Sequence, residues 1–128
     1  MIVLDTHAWV WWATSSPNLS KRAARAIHAA RTVYVSAISC WEVAMLVAKG
    51  RLVFDRDVAV WLDLALKLPG VELVALSPRI AVRSVKLEEG FLGDPADRII
   101  VATALEYGCT IVSKDERIRT YPHVRVIW

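Results

Sequence analysis

Cysteine is scarce, and its scarcity excludes two classes at once. Cys40 and Cys109 are too few and too far apart for a disulfide framework or a metal motif, so both are expected reduced in the core. Histidines are equally sparse at three, leaving no Cys/His cluster for zinc. No glycine-rich loop of the phosphate-cradling kind occurs. The first apolar run has no basic residues before it and is broken by Asp5 and His7, which excludes a signal peptide; nothing spans a membrane. The expected compartment is the cytoplasm. Basic runs are also missing: sixteen Lys and Arg are scattered along the chain, so the net charge of +3 permits a polyanionic partner only on a surface assembled by folding. Repeats, linkers and low-complexity segments are absent too, and residues 1–128 read as a single domain with one sizeable core.

What is present is apolar. Hydrophobic residues make up 55% of the chain and charged ones 23%, too apolar for disorder and enough to cover surface against a partner. The most informative stretch runs from Gly93 to Gly108. Asp94 reads as a helix N-cap with Pro95 at the first helical position, and Gly108 as the left-handed residue that closes the helix. Between them, Ile99 to Leu105 is apolar nearly all round, which suits a helix packed on both sides. Asp94 and Asp97 form a capping-box-like pair, and both favour the positive helix end. Capping requires only one of them, which leaves Asp97 free for other work.

In chain order, Met1–Leu4 reads as a buried strand tipped by Asp5, and Thr6 starts a tryptophan-rich helix. Ser20 caps a second helix, and Thr32–Val35 is a β-branched and aromatic strand. Ser36 to Ser39 lead into a helix from Cys40 to Lys49 ended by Gly50, with Glu42 in its first turn. Further helices are predicted over Asp57–Leu68 and, behind Ser77, over Pro78–Glu88; further strands over Val71–Leu76, Cys109–Val112 and Val124–Ile127. Short apolar strands alternating with helices predict a three-layer α/β/α domain with a parallel sheet.

In such sheets the active crevice lies beyond the carboxyl ends of the strands. Asp5 follows the first strand, Glu42 the second and Asp115 the fourth, while Asp97 opens the helix leading into the fourth. Four converging carboxylates repel and raise one another's pKa unless a cation neutralises them. Oxygen-only ligands suit Mg²⁺ or Mn²⁺, and such an ion would activate water against a phosphodiester.

These residues carry a family resemblance. Leu4-Asp5-Thr6-His7, Ser39-Cys40-Trp41-Glu42-Val43-Ala44, Gly50-Arg51-Leu52, Asp94-Pro95-Ala96-Asp97-Arg98 and Ser113-Lys114-Asp115 stand in the order and spacing of PIN-domain ribonucleases, notably VapC-type toxins. The resemblance covers essentially the whole chain. It implies a PIN-like parallel sheet of order 3-2-1-4-5 and a Mg²⁺-dependent endoribonuclease, with Mn²⁺ as a substitute, acting on RNA and held inactive by a cognate antitoxin. It further implies that Asp5, Glu42, Asp97 and Asp115 are the acidic metal site and that Asp94 is an accessory acid. Val47 stands where many relatives have a lysine, and Leu92-Gly93 where a histidine often precedes the Asp-Pro pair.

Beside the acids, Thr6 and His7 are placed to contact metal-bound water or RNA, or to start their helix. Ser113 can hydrogen-bond a ligating carboxylate. Arg98 is expected either to hold the scissile phosphate or to pair with neighbouring acids. The tryptophans could stack bases, but Trp9, Trp12 and Trp41 are expected in the core or at a homodimer interface. Two other readings are a catalytically silent nucleic-acid-binding or partner-binding module and another metal-dependent phosphoryl-transfer enzyme. The latter wants a second aspartate where this chain has His7, and the former has no reason to keep four mutually repelling acids.

Overall fold

The computed structural model describes residues 1–87, 91 and 93–128. Five strands form one sheet: β1 (Ile2–Leu4), β2 (Val33–Ser36), β3 (Val71–Val74), β4 (Thr110–Val112) and β5 (Val126–Ile127). Their order is β3-β2-β1-β4-β5, and every neighbouring pair is parallel. The connecting helices are α1 (Thr6–Ala13), α2 (Lys21–Ala29), α3 (Ala37–Ala48), α4 (Val58–Leu66), α5 (Pro78–Val85), α6 (Pro95–Tyr107) and the single turn α7 (Glu116–Arg119).

The strands are mostly apolar because the central ones are covered on both faces, whereas the edge strand β3 leaves Glu72 and Leu73 exposed. Side chains alternate between faces along a strand, so Ile2, Leu4, Val33, Val35 and Val112 pack with Trp9 of α1, Ile27 of α2 and Trp61 of α4. Val3 and Ile111 point the other way, onto Ile100, Val101 and Ala104 of α6. Helix α6 is thus the inner helix of its layer. Asp94 caps it by accepting from Asp97 N–H at 2.9 Å, and Gly108 closes it at φ +65°.

Several boundaries differ from the sequence expectation. Helix α3 starts at Ala37, not Cys40, because Ser36 itself accepts from Ile38 N–H at 3.3 Å and serves as the cap. Glu42 therefore lies in the second turn, not the first. Asp57 caps α4 rather than joining it, and Val74 ends β3. The predicted end of α5, Glu88, lies outside the described residues; the described helix ends at Val85. Cys109 is buried, whereas Cys40 is half-buried, and both are free thiols. Of the tryptophans, Trp9 is fully buried and Trp12 packs on the same core, but Trp41 is 57% exposed and takes no part in it.

Candidate active site

Register brings the strand ends level. Leu4 pairs with Val35 on one side and Val112 on the other, so Asp5, Ser36 and Ser113 follow at one edge of the sheet. The chain reverses its progress across the sheet between β1 and β4, and a crevice opens there. It is a cavity of about 470 Å³ lined by Asp5, Thr6, His7, Trp11, Glu42, Asp94, Asp97, Lys114, Asp115 and Arg117. All four acids singled out from the sequence line it, with the accessory candidates Asp94 and Thr6.

Each carboxylate is oriented by its own local structure. Asp5 caps α1, its Oδ1 accepting from Ala8 N–H at 2.9 Å, while Oδ2 accepts from the hydroxyl of Ser113. Ser113 is fully buried beneath Asp5 and also accepts from Asp115 N–H at 3.0 Å, tying the ends of β1 and β4 together. Glu42 reaches the cavity from α3 and accepts from the hydroxyl of Thr6, which in turn lies 2.9 Å from Ser39 Oγ. Asp115 caps α7. Asp97 stands in the first turn of α6, and Gly93 keeps its approach open: a Cβ there would strike the ring of Phe91 and lie 2.9 Å from Asp97 Cβ.

Burial and crowding set the electrostatics. Asp97 is pushed up to about 7, first by desolvation, then by Asp94, Asp115 and Glu42. Burial also raises Asp5 and Glu42, against the lowering effect of Ser113 and Thr6 respectively. Asp115 goes the other way, held below the ordinary carboxylate range by Arg117. That arginine lies 2.8 Å from Asp115 and 3.2 Å from Asp97, and the closer, doubly bonded partner takes most of its effect.

Arg117 was not legible in the sequence. Its one signal is its place two residues after Asp115, within the turn that Asp115 caps. Lys114, to which the sequence assigned no role, and Trp11, one of the tryptophans that could stack bases, also line the cavity. Arg98, by contrast, turns away from the acids. One residue beyond Asp97 is about 100° further round the helix, so its Nε donates to the Ser84 carbonyl at 3.1 Å and its Nη1 to that of Phe91 at 3.3 Å. It ties α6 to the end of α5.

Among the described residues, no three metal-binding side chains are gathered closely enough to enclose an ion as they stand. The carboxylates are satisfied instead by Ser113, Thr6 and Arg117. The donor set nevertheless fits a hard divalent cation: it is all oxygen, it shares one cavity, and Glu42 and Asp115 help to raise Asp97.

An all-parallel sheet of this order with acids at the strand ends has a family. The PIN-domain model matches residues 2–124, and the chain belongs to the PIN-domain family. Over 126 residues, 98% of this chain and 95% of the relative, it is 38% identical to Ribonuclease VapC22 of Mycobacterium tuberculosis. Its fold is shared with the VapBC2 complex of Rickettsia felis bound to a DNA fragment from its promoter, at a TM-score of 0.72 and 18% identity over 98% of this chain and 97% of that one. A toxin–antitoxin complex from Klebsiella pneumoniae gives a TM-score of 0.67 at 20% identity, over 97% of this chain and 95% of that one.

Proposed function

We propose that this protein is a Mg²⁺-dependent endoribonuclease, with Mn²⁺ as a substitute ion, and the toxin of a toxin–antitoxin pair. The observation that carries the reading is the meeting of Asp5, Glu42, Asp97 and Asp115, from four separate segments, on one cavity at the sheet's switch point. Such a set stays charged at neutral pH only against compensating positive charge. The ribonuclease activity named for the 38% identical relative agrees with this, and the complexes sharing its fold support an antitoxin as partner.

Asp5, Glu42, Asp97 and Asp115 would hold the ion. When bound, it would polarise a phosphodiester and activate water for in-line attack. The rest of the work belongs to the chain. Ser113 and the Ala8 N–H hold both oxygens of Asp5, Thr6 holds Glu42, and the Asp94 cap fixes the turn that carries Asp97. Positions fixed in advance in this way cost no reorganisation during reaction. At the rim, Lys114 is an exposed cation for the phosphate backbone. His7 and Trp11, with ring centroids 5.6 Å apart, offer aromatic faces on which bases can stack.

The test is incubation of purified, antitoxin-free protein with cellular RNA in Mg²⁺, Mn²⁺ or chelator, followed by mapping of the cut ends. Cleavage is expected only with metal. Asp5→Asn and Asp97→Asn are each expected to lower the rate by on the order of a hundredfold or more while circular dichroism remains that of the folded protein. Undiminished cleavage by either variant would overturn the assignment.

A further inference from the structure

Arg117 does something in this cavity that carboxylate chemistry alone does not call for. Its backbone N–H donates to Asp115 Oδ1 at 2.8 Å, and its side chain then folds back over the same residue. Nε meets Oδ1 at 3.2 Å and Nη2 meets Oδ2 at 2.8 Å, while Nη2 also reaches Asp97 Oδ2 at 3.2 Å. One guanidinium therefore spans two acids from different elements and occupies both oxygens of Asp115 and one of Asp97.

Those are oxygens that a divalent cation at this site must use. The geometry points to Arg117 as a tethered counter-cation, which bridges Asp97 and Asp115 in the metal-free protein and must release them when metal binds. This rests on the metal-dependent reading above. Release is feasible because the Arg117 side chain is 47% exposed, and ion pairs of that exposure are weak. It is not negligible, because a planar fork on a carboxylate is the strongest arrangement an arginine has. Metal affinity and Arg117 placement are therefore linked: whatever holds the arginine on the acids weakens the ion by the same factor.

The experiment is titration with Mn²⁺, followed by electron paramagnetic resonance and by melting temperature, of the wild type, Arg117→Gln, Arg117→Lys and Arg119→Gln. Removing Arg117 leaves no hole in the core, and its backbone bond to Asp115 does not depend on the side chain. Arg117→Gln is expected to bind Mn²⁺ about three- to fivefold more tightly than wild type, the upper end of the scale of a half-exposed ion pair. In chelator it is expected to melt lower, since Asp97 and Asp115 have lost their bridge. Arg117→Lys, which keeps the charge without the fork, should fall between. Arg119→Gln removes the same charge from the same turn, where among the described residues it pairs with Glu116 at 3.6 Å and not with the cavity acids, and should stay within about twofold of wild type.

Equal or weaker binding by Arg117→Gln would overturn the proposal, as would equal tightening by Arg119→Gln, which would reveal a general charge effect. If neither wild type nor Arg117→Gln binds Mn²⁺, the metal reading itself fails and takes this one with it. Tight but equal binding by both leaves the nuclease reading standing and refutes only the counter-cation.

Discussion

At the scale of residues, the site is a balance between burial, which opposes charge, and hydrogen bonds, which restore it. Among the described residues, Asp5 has both oxygens bonded, Glu42 one, and the Asp97 carboxylate meets the far end of a shared arginine. The difference has a consequence for stability without metal. The carboxyl of Asp97 titrates near 7 in the folded chain against an ordinary 3.8. Between those values the folded state binds more protons than the unfolded one, so stability falls as pH rises through that window and levels off above it. Asp5 and Glu42 are raised as well and act in the same direction. Asparagine at position 97 cannot titrate. In chelator, the melting temperature of Asp97→Asn relative to wild type should therefore climb from about pH 4.5 to about pH 7.5. A difference that stays constant across that range would show that neither burial nor its neighbours destabilise the charged Asp97.

At the scale of elements, local signals and tertiary placement contributed unequally. Helix α6 was readable at both ends because its caps are chemically explicit, Asp94 followed by Pro95 at one and Gly108 at the other. Gly108 sits at φ +65°, and an added Cβ would meet nothing within 4 Å, so Gly108→Ala should cost only the left-handed backbone, about 1–2 kcal/mol. Chemical denaturation measures this: the midpoint should fall, and an unchanged midpoint would deny the cap its role. The strand-end acids were readable for a similar reason, since each follows a short apolar strand. The start of α3 was not, because Ser36 and Ser39 are both plausible caps and only the fold decides that Ser36 is used. Nor was α7, which at four residues is too short to show periodicity, and with it went the approach of Arg117 to Asp97. Arg98 was misjudged because a position beside Asp97 in sequence is not beside it on a helix.

At the scale of the whole molecule, the sheet gathers at one edge what the sequence spreads over more than a hundred positions, from Asp5 to Asp115. Among the described residues no helix is long and apolar enough to cross a membrane, yet the surface keeps large apolar side chains. Trp41 is 57% exposed, Val85 74% and Val53 86%. We propose that part of this surface is covered in a homodimer and part by the antitoxin. Light scattering at micromolar concentration should give twice the mass of the chain, and a monomer throughout would contradict the dimer. The central claim, that the four acids form one cation site, is tested most directly by thermal melts of wild type, Asp97→Asn and Asp94→Asn in chelator and in Mn²⁺. Wild type should gain about 2.7 kcal/mol when free metal is a hundredfold above its dissociation constant. Asp94→Asn should respond nearly as strongly, because asparagine caps a helix about as well as aspartate. Asp97→Asn should melt at or above wild type in chelator at neutral pH and respond far less to metal. Equal metal responses in wild type and Asp97→Asn would contradict the account and leave Asp97 as part of a helix cap alone.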